Sequence, residues 1–481
     1  MNFVHYINNS SHFNGDWGLL GGMHMKKINV AQVIADSKFN RFHFSLLAWC
    51  FLIILFDGYD LVVYGTVVPV LIEEWGLTTV QAGAIGSYGL FGMMFGAIIL
   101  GILADRIGRK KVTAISIVLF SLFTVLCGFT TNVLLFSIFR FIAGLGLGGI
   151  MPNVIALLTD YSPKKMRSMA VSIVLCGYSV GGMLAPILGI LIMPSLGWES
   201  IFWVAGIPLL LLPLMYKKLP ESAVYLARKG KTEELFKNLR KVDPNITFDG
   251  TEELEHIPVD NSKVPVVGLF NNKRGLSTVM FWTAFFSCLL MVYGLNTWLP
   301  KLMIEAGYGL NSSLGFLITL QGGAMVGTII IARLCDKYGS KRMLVPMYAS
   351  GAIALTLLGF GGNTFYIYVL VAVAGAATIG AQNIVQAYVS QYYPPNIRST
   401  ALGMASGIGR LGGMMGPLLG GFLLSIALPI EMNFIAFAIP GLIAAIALTF
   451  VSDKRSYVNM PNRVSPENVT ATKATLSEAA D

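Results

Sequence analysis

The stretch "GILADRIGRKKV", Gly101 to Val112, stands between two long apolar runs. A second stretch, "ARLCDKYGSKRM", Ala332 to Met343, stands between two others 231 residues later. At that offset Asp105 falls on Asp336, Gly108 on Gly339 and Lys110 on Lys341. The same offset carries Gly144 onto Gly375, Tyr161 onto Tyr392, Pro163 onto Pro394, Arg167 onto Arg398 and Ser168 onto Ser399. Pro186 then falls on Pro417 and Gly189 on Gly420. So many coincidences at one spacing mark an internal duplication, each copy being one structural unit.

The units are apolar. Of 481 residues, 55% are hydrophobic and 12% charged, whereas a soluble domain carries about 25% charged residues. Twelve apolar runs are each long enough, at ~20 residues, to span a bilayer as a helix. They fall six and six about a polar stretch from Lys217 to Ser277. The fold expected is an all-α membrane protein with twelve transmembrane helices in two pseudo-symmetric six-helix halves. The expected divisions are an N-terminal tail over 1–43, partly disordered, and a first half over 44–217. A linker with one or two surface helices follows over 218–277, then a second half over 278–452 and a disordered tail over 453–481. Two parallel repeats about a central cavity are an alternating-access design; the plain alternative is a duplicated scaffold that no longer transports.

Net charge is +9, but its distribution argues against a nucleic-acid partner. With both termini placed inside, 31 of the 34 Lys and Arg fall in the tails and inward loops. Lys301 alone falls at the outer face, while Glu73, Glu74, Glu199, Glu305 and Glu431 sit at outer ends. This is the positive-inside asymmetry, and it orients the chain with both termini cytoplasmic. Residues 1–25 lack the basic and apolar regions of a signal peptide; they read as disordered, with Met23 and Met25 as alternative starts. The cysteines (Cys50, Cys127, Cys176, Cys288 and Cys335) lie in apolar spans without metal-ligand spacing and read as small core residues. None of the five histidines (His5, His12, His24, His43, His256) lies deep in a span, and no serine or cysteine stands beside a plausible base. Neither an enzyme nor a metal or other cofactor is expected.

Two arginines and two aspartates are the formal charges inside the spans: Arg140, Arg410, Asp57 and Asp60. Each costs roughly 2.5–3.5 kcal/mol at mid-membrane on insertion scales. Asp57 lies roughly 20 Å from the inner end of its span and Asp60 roughly 15 Å from the outer end; Arg410 lies roughly 18 Å and Arg140 roughly 10 Å into theirs. The plain reading is two buried salt bridges that hold helices together. Such pairs stabilise weakly, because desolvation offsets the attraction, and ionisable groups at this depth more often mark ion or substrate paths. Two neighbouring carboxylates in a low dielectric cannot both ionise cheaply, which suits a proton carrier. The expected cycle has an aspartate occupying an arginine in the empty site and releasing it on protonation. An anionic substrate then takes its place, bidentate on the guanidinium. Arg410 is the first choice for that role and Arg140 the second. Tyr64, Asn153, Tyr178, Trp298, Gln321, Gln382 and Asn383 are candidates for the remaining contacts, each of which could equally be packing.

The loop "GILADRIGRKKV" resembles the signature loop of the major facilitator superfamily, G-x-L-A-D-R-x-G-R-K, at every specified position. The resemblance covers about residues 40–452 and implies that Asp105, with Arg106, Gly108 and Arg109, gates the cytoplasmic side against the eleventh span, with Asp336 as the counterpart. A carboxylate there can also meet a helix N-terminus; positive-inside placement alone would explain the cations but not Asp105. "DGYDLVVYG", "RFIAGLGLGGIMPNVIALLTDYSP" and "IRSTALGMASGIGRLGGMMGP" are similar to the aromatic acid:proton symporter family. That implies import of a small aromatic acid anion with a proton across a bacterial inner membrane, by a monomer. Benzoate is the leading substrate, with hydroxybenzoates, protocatechuate, vanillate and muconate open. An efflux antiporter is a second reading, since "GYSVGGMLAPILG" partly matches the drug:proton antiporter motif with Ala185 in place of its glycine. A non-transporting membrane sensor is a third; no recognisable signalling domain supports it. Glycines such as Gly92, Gly96, Gly101, Gly181 and Gly412 are expected to let helices approach and slide.

Overall fold

The computed structural model describes residues 27–244, 246, 253–254 and 266–457. The expectations for residues 1–25, for much of the linker and for the tail beyond 457 lie outside them. The first half runs α1 (Val30–Asp36), α2 (Arg41–Trp75), α3 (Thr79–Ile107), α4 (Arg109–Cys127), α5 (Val133–Tyr161) and α6 (Arg167–Leu196). It closes with α7 (Glu199–Val204) and α8 (Ile207–Lys218), one span interrupted at Ala205–Gly206. Two linker helices follow, α9 (Ala223–Arg228) and α10 (Thr232–Val242). The second half runs α11 (Gly275–Glu305), α12 (Leu310–Tyr338), α13 (Ser340–Gly359), α14 (Thr364–Gly375), α15 (Ala381–Tyr392), α16 (Pro395–Ser425) and α17 (Ile430–Thr449). A π-helical turn over Ala376–Gly380 joins α14 to α15. Lys27–Ile28 pairs in parallel with Glu253–Leu254.

Among the described residues, eleven of the spans are long and apolar enough to cross a membrane. The twelfth, α16, is 31 residues long and packs between α11 and α3; its many glycines and Arg410 dilute its hydropathy. The chain is therefore a multi-pass membrane protein of the expected fold.

The 231-residue offset holds at atomic contacts. A Cβ on Gly144 would fall 2.0 Å from the Gly89 carbonyl oxygen, and one on Gly375 would fall 1.9 Å from that of Leu320, the equivalent of Gly89. Gly92 likewise meets Phe141 and Gly323 meets Ala372; Gly181 meets Leu55 and Gly412 meets Phe286. Tyr161 donates to the Glu221 carbonyl, and its counterpart Tyr392 to the Ser452 carbonyl. These glycine contacts lie within a half, so the expected sliding between halves falls to others, and Gly101 has nothing within 4 Å of its Cβ position. Across the halves, Gly65 abuts Asn296, its own equivalent, which places the pseudo-twofold axis there.

The halves meet at the end where α2 stops and α3 begins. Thr79 Oγ1 donates to the Gly421 carbonyl at 2.8 Å and Ser87 Oγ to that of Met414 at 2.7 Å. Gly182 meets Gln321 and Gly189 meets Leu314 along the α6–α12 seam. Toward the Asp105 end α3 and α16 separate, since Gly101, Gly403 and Gly407 have no atom within 4 Å of their Cβ positions.

Candidate functional site

All four intramembrane charges come together at the middle of the bundle. Asp57 and Asp60 diverge by roughly 60° around α2, and their surroundings differ. Asp60 is fully buried; its Oδ2 accepts from Arg140 Nη1 at 3.2 Å and its Oδ1 from the Thr124 hydroxyl on α4. Arg140, 5% exposed on α5, also lies over the Tyr64 ring, 5.6 Å from its centroid, and its Nε has no hydrogen-bond partner among the described residues. Tyr64 donates its hydroxyl to the Ala82 carbonyl, fixing the ring beneath the guanidinium. Asp57 is fully buried too, yet neither oxygen has a hydrogen-bond partner among the described residues. The charges it feels are those of Asp60 and of Arg410, across the seam on α16.

Arg410 is half-buried. Its Nη1 donates to the Met93 carbonyl at 3.2 Å, a bond between the halves, and no carboxylate pairs with it among the described residues. Tyr178 on α6 and Tyr293 on α11 lie beside Asp57 and Arg410, with their hydroxyls in reach of each other. A small cavity lies along the seam between Arg140, Tyr64 and Met93 on one side and Tyr293, Asn296 and Thr297 on the other. It offers about 20 Å³ to water, room for about one molecule, and too little for an aromatic ring.

The other candidates fall in different places. Trp298 is fully buried and donates its indole N–H to the Pro417 carbonyl at 2.8 Å, beside the closed seam. Gln321 donates to Asn296 Oδ1 at 2.9 Å, next to Gly182, and its own Oε1 is unpartnered among the described residues. Asn153 donates back to the Gly149 carbonyl of its own helix. Asn383 reaches Thr328 on α12 at 3.5 Å, and Gln382 is half-buried beside it on α15. None of these five lines the seam cavity. Thr124, Tyr293 and Asn296 were not singled out by sequence: they are uncharged, and the repeat pairs Tyr293 with Val62 and Asn296 with Gly65.

At the open end, Asp105 and Arg106 are exposed, and Asp105 makes no ion pair among the described residues. Gly108 takes φ +101° between α3 and α4, and Gly339 takes φ +91° at the equivalent turn. Asp336 lies on α12, and its side chain is outside the described residues. Arg109 pairs with Asp160 at 3.1 Å, and Ser222 donates to the same carboxylate oxygen. Glu221 accepts from the backbone N–H of Lys110 at 3.0 Å. Cys50, Cys127, Cys176 and Cys288 are free, and the described residues hold no His, Cys, Asp or Glu cluster able to bind a metal.

The profile of the Major Facilitator Superfamily matches residues 50–325 and 310–478. A benzoate transport protein of Acinetobacter baylyi is 48% identical over 92% of this chain and 96% of its own length. A gentisate transporter of Corynebacterium glutamicum is 38% identical over 84% of this chain and 86% of its own. The 4-hydroxybenzoate transporter PcaK of Acinetobacter baylyi is 33% identical over 88% and 93%. Among solved structures, the xylose transporter XylE of E. coli, in a partially occluded inward-open conformation, superposes with a TM-score of 0.68. It is 20% identical and covers 86% of this chain and 98% of its own, a likeness of fold alone. The chain is thus a transporter rather than an enzyme, and it belongs to the major facilitator superfamily, in the aromatic acid:proton symporter family.

Proposed function

We propose that this protein imports benzoate with a proton across the bacterial inner membrane, as a monomer with both termini cytoplasmic. Similarity to a benzoate transport protein supports the substrate, and the positive-inside charge pattern supports the orientation. In that orientation the open end faces the cytoplasm. The observation that carries the reading is Arg410, a guanidinium inside the bundle with no carboxylate partner among the described residues, set beside the unbonded Asp57. Arg410 takes the substrate carboxylate through its planar fork. Arg140 stays with Asp60. Burying an ion without a partner is costly, so Asp57 is the carboxyl with reason to carry the proton when Arg410 turns to the substrate. Each step uses groups of one chain, with Arg410 from one half and Asp57 from the other, so no second copy is needed. Asp105, Arg106, Gly108, Arg109 and Asp336 close the cytoplasmic side in the opposite state.

Uptake of labelled benzoate by proteoliposomes tests this. Benzoate should accumulate under an inside-alkaline gradient, compete ahead of hydroxybenzoates, and leak out when a protonophore is added. Arg410→Lys should weaken benzoate affinity at least about tenfold, near 1.4 kcal/mol. Undiminished affinity in that variant would move the carboxylate to Arg140, and no accumulation by the wild type would end the symport reading.

A further inference from the structure

Thr124 is fully buried in α4. Two other buried threonines, Thr66 and Thr378, return their hydroxyls to carbonyls of their own helical stretch, Val62 and Ala374. Thr124 instead reaches across to α2 and donates to Asp60 Oδ1, while Arg140 from α5 holds Oδ2. The Asp60 carboxylate is therefore fixed from two helices by one charged and one neutral donor. Titratable groups whose charge interacts with Asp60 include Asp57 and Tyr59 on α2, Cys127 on α4 and Arg140 on α5. Tyr59 gives its hydroxyl to the Ile201 carbonyl and Cys127 its thiol to that of Phe136. Neither is a donor to Asp60, so the hydroxyl of Thr124 is the neutral donor that holds the carboxylate oxygen left over by Arg140.

The geometry points to Thr124 as a positioning residue that holds the Asp60 side chain on Arg140, and so keeps that pair closed while Asp57 carries the transported proton. This rests on the proton-coupled reading above. A positioning role differs from simple packing in what it moves. Loss of the hydroxyl leaves Asp60 held by Arg140 alone, so the pair opens more readily on acidification and exchange should fail at a higher pH.

The test uses the purified full chain in proteoliposomes. Exchange of labelled for unlabelled benzoate is followed across acid and neutral pH, and substrate-induced proton uptake is measured alongside. Thr124→Val should move the acid midpoint of exchange upward by about one pH unit, as expected for one hydrogen bond to a charged group. Thr124→Ser, which keeps the hydroxyl, should restore the wild-type midpoint. Thr124→Ala removes the hydroxyl without added bulk and should shift the midpoint as Thr124→Val does. An unmoved midpoint in both Val and Ala variants, or an equal shift in the Ser variant, would overturn the role of Thr124. A wild type that takes up no proton with benzoate would instead sink the proton-coupled reading, so the two failures are distinguishable.

Discussion

The Asp60 carboxylate has a donor for each oxygen, while Asp57, one turn earlier on α2, has none among the described residues. This difference separates two substitutions that look equivalent in sequence. Asp60→Asn leaves the buried Arg140 without its counter-ion, a loss that costs about 3–5 kcal/mol when one partner of a buried pair is removed. It should lower the yield and melting temperature of the purified protein. Asp57→Asn removes an unpaired carboxyl and should leave melting unchanged or raised. It should also lose accumulation driven by a pH gradient while keeping benzoate exchange, because exchange need not return an empty, deprotonated carrier. Equal melting losses in the two variants, or full accumulation by Asp57→Asn, would refute the division between them. The four charges and their depth were legible in the sequence because charge is conspicuous in an apolar span. The partnership was not: a carboxylate three residues from another faces a different helix, and which helix stands there is a tertiary fact.

Elements in the two halves repeat each other closely enough to serve as controls. Gly108 and Gly339 both take a positive φ at the turn between the second and third spans of their half. At Gly108 a Cβ would also lie 2.3 Å from Glu221 Oε2, whereas at Gly339 nothing lies within 4 Å. Glu221 is itself committed, accepting from the backbone N–H groups of Lys110 and Ser222. Alanine at Gly339 should therefore cost the backbone strain alone, of order 1–3 kcal/mol. Alanine at Gly108 should cost that and the displacement of Glu221. Thermal melting of the two single variants should rank Gly108→Ala clearly below Gly339→Ala, and a reversed order would remove the Glu221 contact from the account. The matched glycines announced the turns in the sequence, but Glu221 did not announce itself, since it lies about 110 residues away in a stretch that reads as linker. The bond of Arg109 to Asp160 was hidden for the same reason: the sequence shows a cationic loop, not the carboxylate it chooses.

For the whole molecule, the repeat supplies a symmetric scaffold on which the charges are placed asymmetrically. Asp57, Asp60 and Arg140 correspond to Cys288, Met291 and Val371, and Arg410 to Ser179. One half thus holds a sealed pair and a free carboxyl, and the other offers a single guanidinium across the seam. Rocking one half on the other about the Gly65–Asn296 contact would bring the Asp105 end together and part the end now closed. In the present arrangement Asp105 is exposed and makes no ion pair among the described residues; under the proposed gating role its contribution belongs to the state in which that end is shut. Asp105→Asn should therefore leave the melting temperature of this open state within error of wild type. It should slow benzoate exchange at least tenfold, because each exchange cycle passes through the closed state and a lost contact worth about 1.4 kcal/mol shifts that population by a factor of ten. A variant stabilised at neither end gives a different pattern, with lower melting and lower exchange together. The discriminating measurement is both quantities on one purified sample, since unchanged exchange would show that Asp105 gates nothing, and lowered melting would place its partner in the open state after all.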